Sequence, residues 1–163
     1  MLTVRDGDTC IRYGGDELVL IFPGITESTA VSVINRIRNN IQKHDWSRIA
    51  AGLSVSASFG VSARKAGEQI ESWLFRADQA VYAAKTSGRN CVISYGYIEQ
   101  IAKRSKNPPL TKLRRTKHLR APKWPKAKNN TNTDKRRSAS SAETLLDDPN
   151  LAVSCAALKV LFQ

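Results

Sequence analysis

The sequence has little that would place the protein in a membrane or in an oxidising compartment. No apolar run approaches the ~20 residues that a helix needs to span a bilayer, and no basic stretch followed by an apolar one marks a signal peptide. The three cysteines, Cys10, Cys91 and Cys155, are far apart and form no C-x-x-C pattern, which argues against a zinc site or a redox pair. We therefore expect a soluble, cytoplasmic protein with free thiols.

Acidic residues are scarce in the C-terminal part of the chain. Residues 1–98 carry 11 Lys/Arg and 9 Asp/Glu, whereas the remainder carries 15 and 5, within a total net charge of +12. Residues 103–137 hold 14 cations, four of the six prolines and one acid, Asp134. This composition cannot bury enough apolar surface to offset chain entropy. We predict a globular unit at 1–98, a basic, Pro-containing disordered tail at 99–149 and a short apolar segment at 150–163.

The last segment, 150–163, is apolar enough to predict a short helix. Its end, residues 158–163, reads Leu-Lys-Val-Leu-Phe-Gln and is similar to the cleaved recognition sequence of a viral protease used to remove purification tags. Lys159 stands where that sequence has an acid. A remnant of this kind would have to be left out of any argument about the fold, and the residues by themselves leave both interpretations open.

The hydrophobic pattern of residues 1–98 predicts an α+β unit in the order β-β-α-β-α-β, built on hairpins rather than on a doubly wound sheet. One helix follows the candidate N-cap Thr26, and a second covers residues 68–85 with Gly88 as its candidate C-cap. The strand at 53–61 is predicted to be half-buried, because apolar residues alternate with serine and glycine. The predicted strands are residues 9–13, 18–22, 53–61 and 91–95.

Most of the candidate chemistry lies in Arg12-Tyr-Gly-Gly-Asp-Glu-Leu18. Gly14 and Gly15 let the backbone turn tightly and let a phosphate or a base approach without a Cβ clash. Asp16 and Glu17 can share a hard divalent cation such as Mg²⁺, which takes one or two carboxylates together with substrate phosphates. The same heptapeptide is equally typical of a plain β-hairpin with two solvated acids.

Several cations outside this heptapeptide are further candidates. Lys85 and Arg89 flank the predicted end of the second helix, where they can hold a triphosphate or simply complement the helix dipole. Arg5 and Asp8 stand three residues apart, which also suits a local ion pair. Arg36 lies on the first predicted helix, where a solvated helix face is the ordinary explanation.

Taken together, these segments resemble the GGDEF family of diguanylate cyclases along residues 1–98. Members of this family join two GTP molecules into cyclic di-GMP with release of two diphosphates, and each domain presents one GTP in a two-fold encounter. The resemblance therefore implies GTP, cyclic di-GMP and a second copy of the chain as partners. It rests on the order and spacing of Arg5-Asp-Gly-Asp8, Arg12-Tyr-Gly-Gly-Asp-Glu-Leu18, Ser58-Phe-Gly-Val61, Ala77-Asp-Gln-Ala-Val-Tyr-Ala-Ala-Lys85 and Ser87-Gly-Arg-Asn90.

The resemblance also implies roles for individual residues. The catalytic acids and ligands of Mg²⁺ or Mn²⁺ would be Asp16 and Glu17, in a reaction that depends on positioning and charge stabilisation. The substrate-binding residues would be Gly14, Gly15, Lys85 and Arg89. The inhibitory cyclic di-GMP site would consist of Arg5, Asp8 and Arg36, since guanidinium groups suit bidentate contacts to phosphate and guanine.

The chain departs from the family pattern in two places. Leu18 stands where the family has Phe, and only 13 residues precede Gly14, where a family domain has a strand, two helices and their loops. That region supplies a metal-binding aspartate, the residues that read guanine and the first strand, at the centre of the sheet. We therefore predict a truncated domain that is inactive alone, in which the strands at 18–22 and 91–95 lose a shared neighbour.

Two other functions remain open from the sequence. The first is a degenerate module that senses cyclic di-GMP through Arg5, Asp8 and Arg36. The second is binding of nucleic acid or an acidic partner by the basic tail, because its many cations favour phosphate backbones through counterion release. Trp124 is the tail's candidate for base stacking, so sequence-specific reading is not expected. The tail is also explained as an unselected extension.

Overall fold

The structure is a computed structural model that describes residues 5–104 and 156–162. The predicted order β-β-α-β-α-β is confirmed, and a third helix and a fifth strand extend it. The predicted tail lies outside the described residues from position 105 onward. The elements are β1 (Thr9–Gly14), β2 (Glu17–Phe22), α1 (Glu27–Lys43), a 3-10 turn (Trp46–Arg48), β3 (Ala57–Ala63), α2 (Ile70–Thr86), β4 (Val92–Ser94), α3 (Tyr95–Arg104) and β5 (Ala156–Phe162).

The five strands form one mixed sheet in the order β1-β2-β5-β3-β4. β1 and β2 are an antiparallel hairpin, with Thr9 opposite Ile21 and an irregularity next to the turn. β5 runs antiparallel to both of its neighbours, and β4 pairs parallel to β3 at the edge of the sheet. The hairpin and the β3–β4 pair are therefore joined through β5.

The C-terminal segment is a strand, so the prediction of a short helix at 150–163 is wrong for residues 156–162. A helix of seven residues is marginal in water because few of its hydrogen bonds offset the cost of nucleation. An extended segment between two strands instead makes backbone hydrogen bonds on both sides. Only the sheet around it can reveal that preference.

The position of β5 also corrects the prediction about which strands share a neighbour. That prediction named the strands at 18–22 and 91–95, but β5 lies between β2 and β3. The strand at 91–95 is shorter than predicted, since β4 ends at Ser94 and Tyr95 begins α3. The shared central position is occupied by residues that the sequence pattern had assigned to a helix.

Helices cover both faces of the sheet, which explains why β2 is apolar from Leu18 to Phe22. α1 buries one face, where Ile34 and Ile37 pack with Leu20 and Phe22. α2 buries the other, where Trp73 packs with Val19 and Ile21. Alternate residues of β2 therefore enter different cores.

β3 is buried on both faces, which contradicts the prediction of a half-buried strand. Phe59 and Val61 face α1, while Ser58 and Ser62 are 2% and 0% exposed on the other side. A Cβ built on Gly60 would lie 2.3 Å from the carbonyl oxygen of Ala77 in α2. Small residues therefore occur at these positions because α2 packs closely on them, and not because they face solvent.

The helix ends follow the predicted capping residues. Thr26 caps α1, and its Oγ1 accepts a hydrogen bond from the backbone N–H of Thr29 at 3.2 Å. Gly88 has φ +107° just past α2, and the N–H of Arg89 donates to the carbonyl of Ala84 at 3.0 Å. This six-to-one bond is typical of a Schellman ending, for which glycine is the favoured residue.

α3 extends beyond the predicted end of the globular unit at residue 98, and Ile98 is itself buried. One carboxylate from α1 holds its start. Glu27 Oε1 accepts from the backbone N–H of Gly96 at 3.0 Å, and Oε2 accepts from that of Ala63 at 3.1 Å. An acid at a helix N-terminus satisfies a donor that has no partner within the helix.

Candidate functional site

The β1–β2 turn carries the predicted glycines and acids. Gly15 has φ +54°, a conformation that favours glycine. The guanidinium of Arg12 closes the turn, because its Nε and Nη2 donate to the carbonyl of Gly15 at 3.1 and 2.9 Å. Asp16 is exposed, and Glu17 is half-buried at the first position of β2. The local chain thus presents two carboxylates at the tip of a braced hairpin.

The pairing of the strands places this turn at the same end of the sheet as the C-terminus of α2. Glu17 is opposite Leu161 of β5, and Leu161 is opposite Ser58 of β3. The backbone N–H of Asn90 donates to Ser58 Oγ at 3.1 Å. With strands about 4.8 Å apart, Glu17 and Ser58 are about 10 Å from each other. The segment after α2 therefore lies two strands away from the turn.

The two predicted phosphate-binding cations lie at the end of α2 and in the segment after it. Lys85 is half-buried in the last turn of α2, and Arg89 is exposed with φ +64°. Glu17 shares its strand face with Val19, which packs in the α2 core. Lys85, Arg89 and Glu17 thus lie at the same end of the sheet.

Arg38 also contributes to this end of the sheet, and the sequence analysis did not single it out. Its Nη1 donates to the backbone oxygen and to Oδ1 of Asn90, both at 3.1 Å. The contact joins α1 to a residue 52 positions later and ties down the loop that carries Arg89. No local pattern could have found it, although Asn90 belongs to one of the motifs.

The two carboxylates of the β1–β2 turn suit a hard cation. Asp16 and Glu17 offer carboxylate oxygens, which Mg²⁺ and Mn²⁺ prefer, and Mg²⁺ needs only one or two of them beside substrate phosphates. Within the described ranges, no group of three or more His, Cys, Asp or Glu side chains could hold a metal ion. The residues therefore fit a cation that shares its ligands with a bound nucleotide.

The residues of the predicted cyclic di-GMP site lie elsewhere. The N–H of Arg5 donates to Asp8 Oδ2 at 2.8 Å, and the N–H of Asp8 donates to the carbonyl of Arg5 at 3.0 Å, so the two form a tight turn. Asp8 precedes Thr9, whose partner Ile21 is at the opposite end of β2 from Glu17. This turn is therefore remote from the β1–β2 turn.

Arg36 is exposed on α1. It lies nine residues beyond the first residue of the helix, or about 14 Å along its axis. Among residues 5–104, no hydrogen bond or ion pair joins it to Arg5 or Asp8. The structure thus orders Arg5 with Asp8 but does not link Arg36 to them.

The thiols of the described part are poorly suited to nucleophilic chemistry. Cys10 and Cys91 are free cysteines. Burial raises the pKa of both, and at Cys91 the positive charge of Arg38 only partly offsets the effect. A raised pKa leaves less thiolate at neutral pH. Cys155 lies outside the described residues.

A buried ion pair stabilises the side of α2 away from the candidate site. Arg76 Nε donates to Glu68 Oε1 at 2.8 Å, and Nη2 also reaches Oε2 of the same carboxylate. Nη2 donates in addition to the carbonyl of Ala63 at 2.6 Å, and the guanidinium lies 5.3 Å from the ring centroid of Tyr95. This network joins α2 to the start of α3.

Comparison with known protein families gives a match over the part of the chain that carries the β1–β2 turn and α2. The family described as diguanylate cyclase, GGDEF domain, matches residues 2–91, and the chain belongs to this family. The predicted resemblance is therefore confirmed. No solved structure matches the chain significantly. No helix among the described residues is long and apolar enough to cross a bilayer.

Several curated relatives match the same part of the chain. The response regulator PleD of Caulobacter vibrioides is 42% identical over 94 residues, which are 55% of this chain and 20% of that protein. The diguanylate cyclase VdcA of Vibrio cholerae is 40% identical over 92 residues, 55% of this chain and 27% of that protein. Diguanylate cyclase A of Treponema denticola is 35% identical over 89 residues, 54% and 24% respectively. The chain thus spans about a quarter or less of the length of these relatives.

Proposed function

We propose that this chain forms part of a diguanylate cyclase site, in which the β1–β2 turn faces a GTP molecule and the C-terminal end of α2 holds its phosphates. The family reaction converts two GTP into cyclic di-GMP and two diphosphates. The observation that carries the proposal is the common position of Glu17, Lys85 and Arg89 at one end of the sheet. Carboxylates and cations arranged this way suit a nucleotide bound together with a divalent cation.

Each group has a definite task in this proposal. Gly14 and Gly15 admit the nucleotide close to the backbone, since no Cβ projects from the turn. Lys85 and Arg89 balance the negative charge of the phosphates, Arg89 through bidentate contacts and Lys85 as a point charge. Asp16 and Glu17 would hold Mg²⁺ or Mn²⁺, which when bound would stabilise developing charge on the phosphates.

We further propose that the chain does not turn GTP over by itself. The described residues include two acids at the turn, whereas the resemblance assigns another metal-binding aspartate and the guanine-reading residues to a family region that residues 1–13 do not contain. A second copy of the chain would bring a second GTP but the same incomplete set of groups. We therefore expect GTP binding without product formation.

The test is Mg²⁺-dependent binding of GTP to the full chain, measured by calorimetry, together with an assay for cyclic di-GMP. Lys85→Ala and Arg89→Ala should each weaken binding about tenfold or more, the usual cost of losing a charge-assisted hydrogen bond. Lys103→Ala and Arg104→Ala are charge-matched controls on α3 and should bind GTP as the unmodified chain does. Equal loss in all four variants would contradict the phosphate site, and product formation would contradict the proposed inactivity.

A second candidate function is binding of cyclic di-GMP through Arg5, Asp8 and Arg36. The observation in its favour is the tight Arg5–Asp8 turn, which leaves Arg5 exposed at a fixed position. Calorimetry with cyclic di-GMP should detect binding that Arg5→Ala weakens and Arg48→Ala, an exposed control, does not. Equal binding by both variants would end this candidate.

A further inference from the structure

The groove between β2 and β3 has the dimensions of a single strand. β5 occupies it in antiparallel register with both neighbours, from Glu17 opposite Leu161 on one side to Ala57 opposite Phe162 on the other. Since adjacent strands are about 4.8 Å apart, β2 and β3 are about 10 Å from each other and cannot pair directly. One extended segment, and no other regular element, fits this space.

An empty groove would leave polar backbone groups without partners in a buried place. With β5 in place, Val19 to Phe22 of β2 are 6% exposed or less and β3 is buried from Ala57 to Ser62, and α1 and α2 cover the two faces of these strands. Each unpaired buried N–H or C=O costs about 1–3 kcal/mol. The sheet therefore requires an occupant, and an open edge on either strand would favour pairing with another chain.

The segment that occupies the groove matches it in register. Leu158 and Val160 stand opposite Leu20 and Leu18 on the β2 side and opposite Val61 and Phe59 on the β3 side. Lys159 stands opposite Val19 and Gly60, so the one charged residue of β5 takes the position beside the glycine. The apolar residues of the segment thus alternate in step with those of its neighbours.

We propose that the β2–β3 groove is a strand-binding site and that residues 156–162 of the same chain are its ligand, held by strand addition. Main-chain hydrogen bonds on two sides supply affinity, and the alternating register supplies selectivity. Residues 105–155 connect the ligand to α3, and such a covalent connection raises the local concentration of a segment at its site to about the millimolar range. The same strand joins Glu17 to Ser58, so the proposed nucleotide site also rests on an occupied groove, whereas release of the strand is measured on the sheet alone.

Brief digestion of the full chain with trypsin tests the proposal directly. Residues 105–137 offer 12 cleavage sites in the connection, whereas Lys159 lies inside β5. After cleavage of the connection, the fragment 138–163 should elute with the core on gel filtration, because it stays in the groove with Lys159 uncut. An excess of synthetic peptide with the sequence of residues 156–163 should displace it, and a scrambled peptide should not.

Separation of the fragment from the core, or cleavage after Lys159 as fast as in the connection, would overturn the proposal. A dimer whose copies exchange the fragment 138–163 with each other would also overturn the proposal. The ligand in each groove would then belong to another chain.

A substitution in the full chain gives a second, independent measurement. Val160→Pro removes a strand donor between Leu18 and Phe59, whereas the matched control Val153→Pro lies outside β5. Hydrogen exchange of the β2 and β3 amides should accelerate about tenfold or more in Val160→Pro and stay unchanged in the control. Equal protection in both variants would show that the groove does not depend on this segment.

Discussion

Gly60 sets the distance between the sheet and α2. A Cβ at this position would lie 2.4 Å from the backbone nitrogen of Val81 as well as 2.3 Å from the oxygen of Ala77. Both atoms are helix backbone and cannot move as a flexible side chain would. The helix would have to shift as a unit, and the core that contains Trp73 would loosen with it.

We expect Gly60→Ala to lower the free energy of unfolding by about 2–3 kcal/mol, the upper part of the range for overpacked cores. Urea denaturation of the full chain measures this. Gly14→Ala is the matched control, because a Cβ there meets no atom within 4 Å and its φ is not positive. Equal stability of the two variants would show that α2 accommodates the added methyl group.

Glu68 makes stability depend on pH. Burial by itself would raise the pKa of this carboxyl, but hydrogen bonds from Arg76 and from the N–H of Lys65, with the positive charge of Arg76, outweigh it and hold the pKa below its ordinary 4.5. A lowered pKa means that the folded protein prefers the ionised form. The stabilisation is therefore complete above about pH 4.5 and is lost as the pH falls through the lowered value.

The difference in unfolding free energy between the unmodified chain and Glu68→Gln should depend on pH in the same way. It should be constant at neutral pH, shrink below about pH 4.5 and vanish at lower pH, because protonation removes the same charge as the substitution. Urea titrations at a series of pH values measure it. Glu71→Gln, which replaces an exposed acid in the first turn of α2, is the control, and a constant difference for Glu68→Gln down to pH 2 would contradict the interpretation.

At the scale of elements, α3 depends on a contact with a residue 69 positions earlier in the sequence. Glu27 binds the first turn of α3 and the last residue of β3 with its two oxygens. A Cβ on Gly96 would lie 2.6 Å from Glu27 Oε1, so the helix start and the carboxylate also fit closely in space. Removing the carboxylate leaves two donors to find water or remain unpaired.

Glu27→Ala should therefore loosen α3 more than the rest of the protein. We expect the amides of α3 to exchange about tenfold faster, since a hydrogen bond to a charged group contributes about 1.5–3 kcal/mol. Hydrogen exchange with mass spectrometry measures each helix separately. Glu99→Ala, which removes an exposed ion pair with Lys65, is the control and should change α3 little.

The elements also show which parts of the fold the sequence could predict. The β1–β2 turn, the Thr26 cap and the Gly88 ending depend on residues within a few positions of each other, so local patterns sufficed. The burial of Ser58 and Ser62 depends on α2, which packs on β3 from another part of the chain. The strand at 156–162 depends on two strands more than 90 residues earlier, and its own seven residues suit a helix equally well.

The same distinction applies to the candidate site. The motif residues Asp16, Glu17, Lys85 and Arg89 were found by their order along the chain. Their placement at one end of the sheet could not be predicted from that order, because it depends on β5, which pairs with both β2 and β3. Arg38 was missed since its partner Asn90 lies on a distant loop. Spacing identifies the groups, and only the sheet brings them together.

For the whole molecule, the two cores should unfold together. Trp46 donates from Nε1 to the carbonyl of Ile41 on the α1 side, and Trp73 donates from Nε1 to the carbonyl of Ser62 on the α2 side, both at 2.8 Å. β2 and β3 contribute to both sides, so neither core can open without disturbing the strands of the other.

Fluorescence of two single-tryptophan variants, one retaining Trp46 and one retaining Trp73, tests this coupling. Trp124 and the remaining tryptophan are replaced by Phe in each. In each variant, the urea midpoint of tryptophan fluorescence should coincide with the urea midpoint of far-ultraviolet circular dichroism. A tryptophan transition that precedes the loss of secondary structure in one variant would show that its core opens on its own.

The central position of β5 has a consequence for how the protein is made. A ribosome synthesises β2 and β3 long before residues 156–162, and during that interval neither strand has its inner neighbour. Pairings between such distant segments also form slowly, because the loop must close before the contacts stabilise it. The nascent domain therefore emerges with its sheet divided, and until translation reaches the last strand it exposes the surfaces that chaperones recognise.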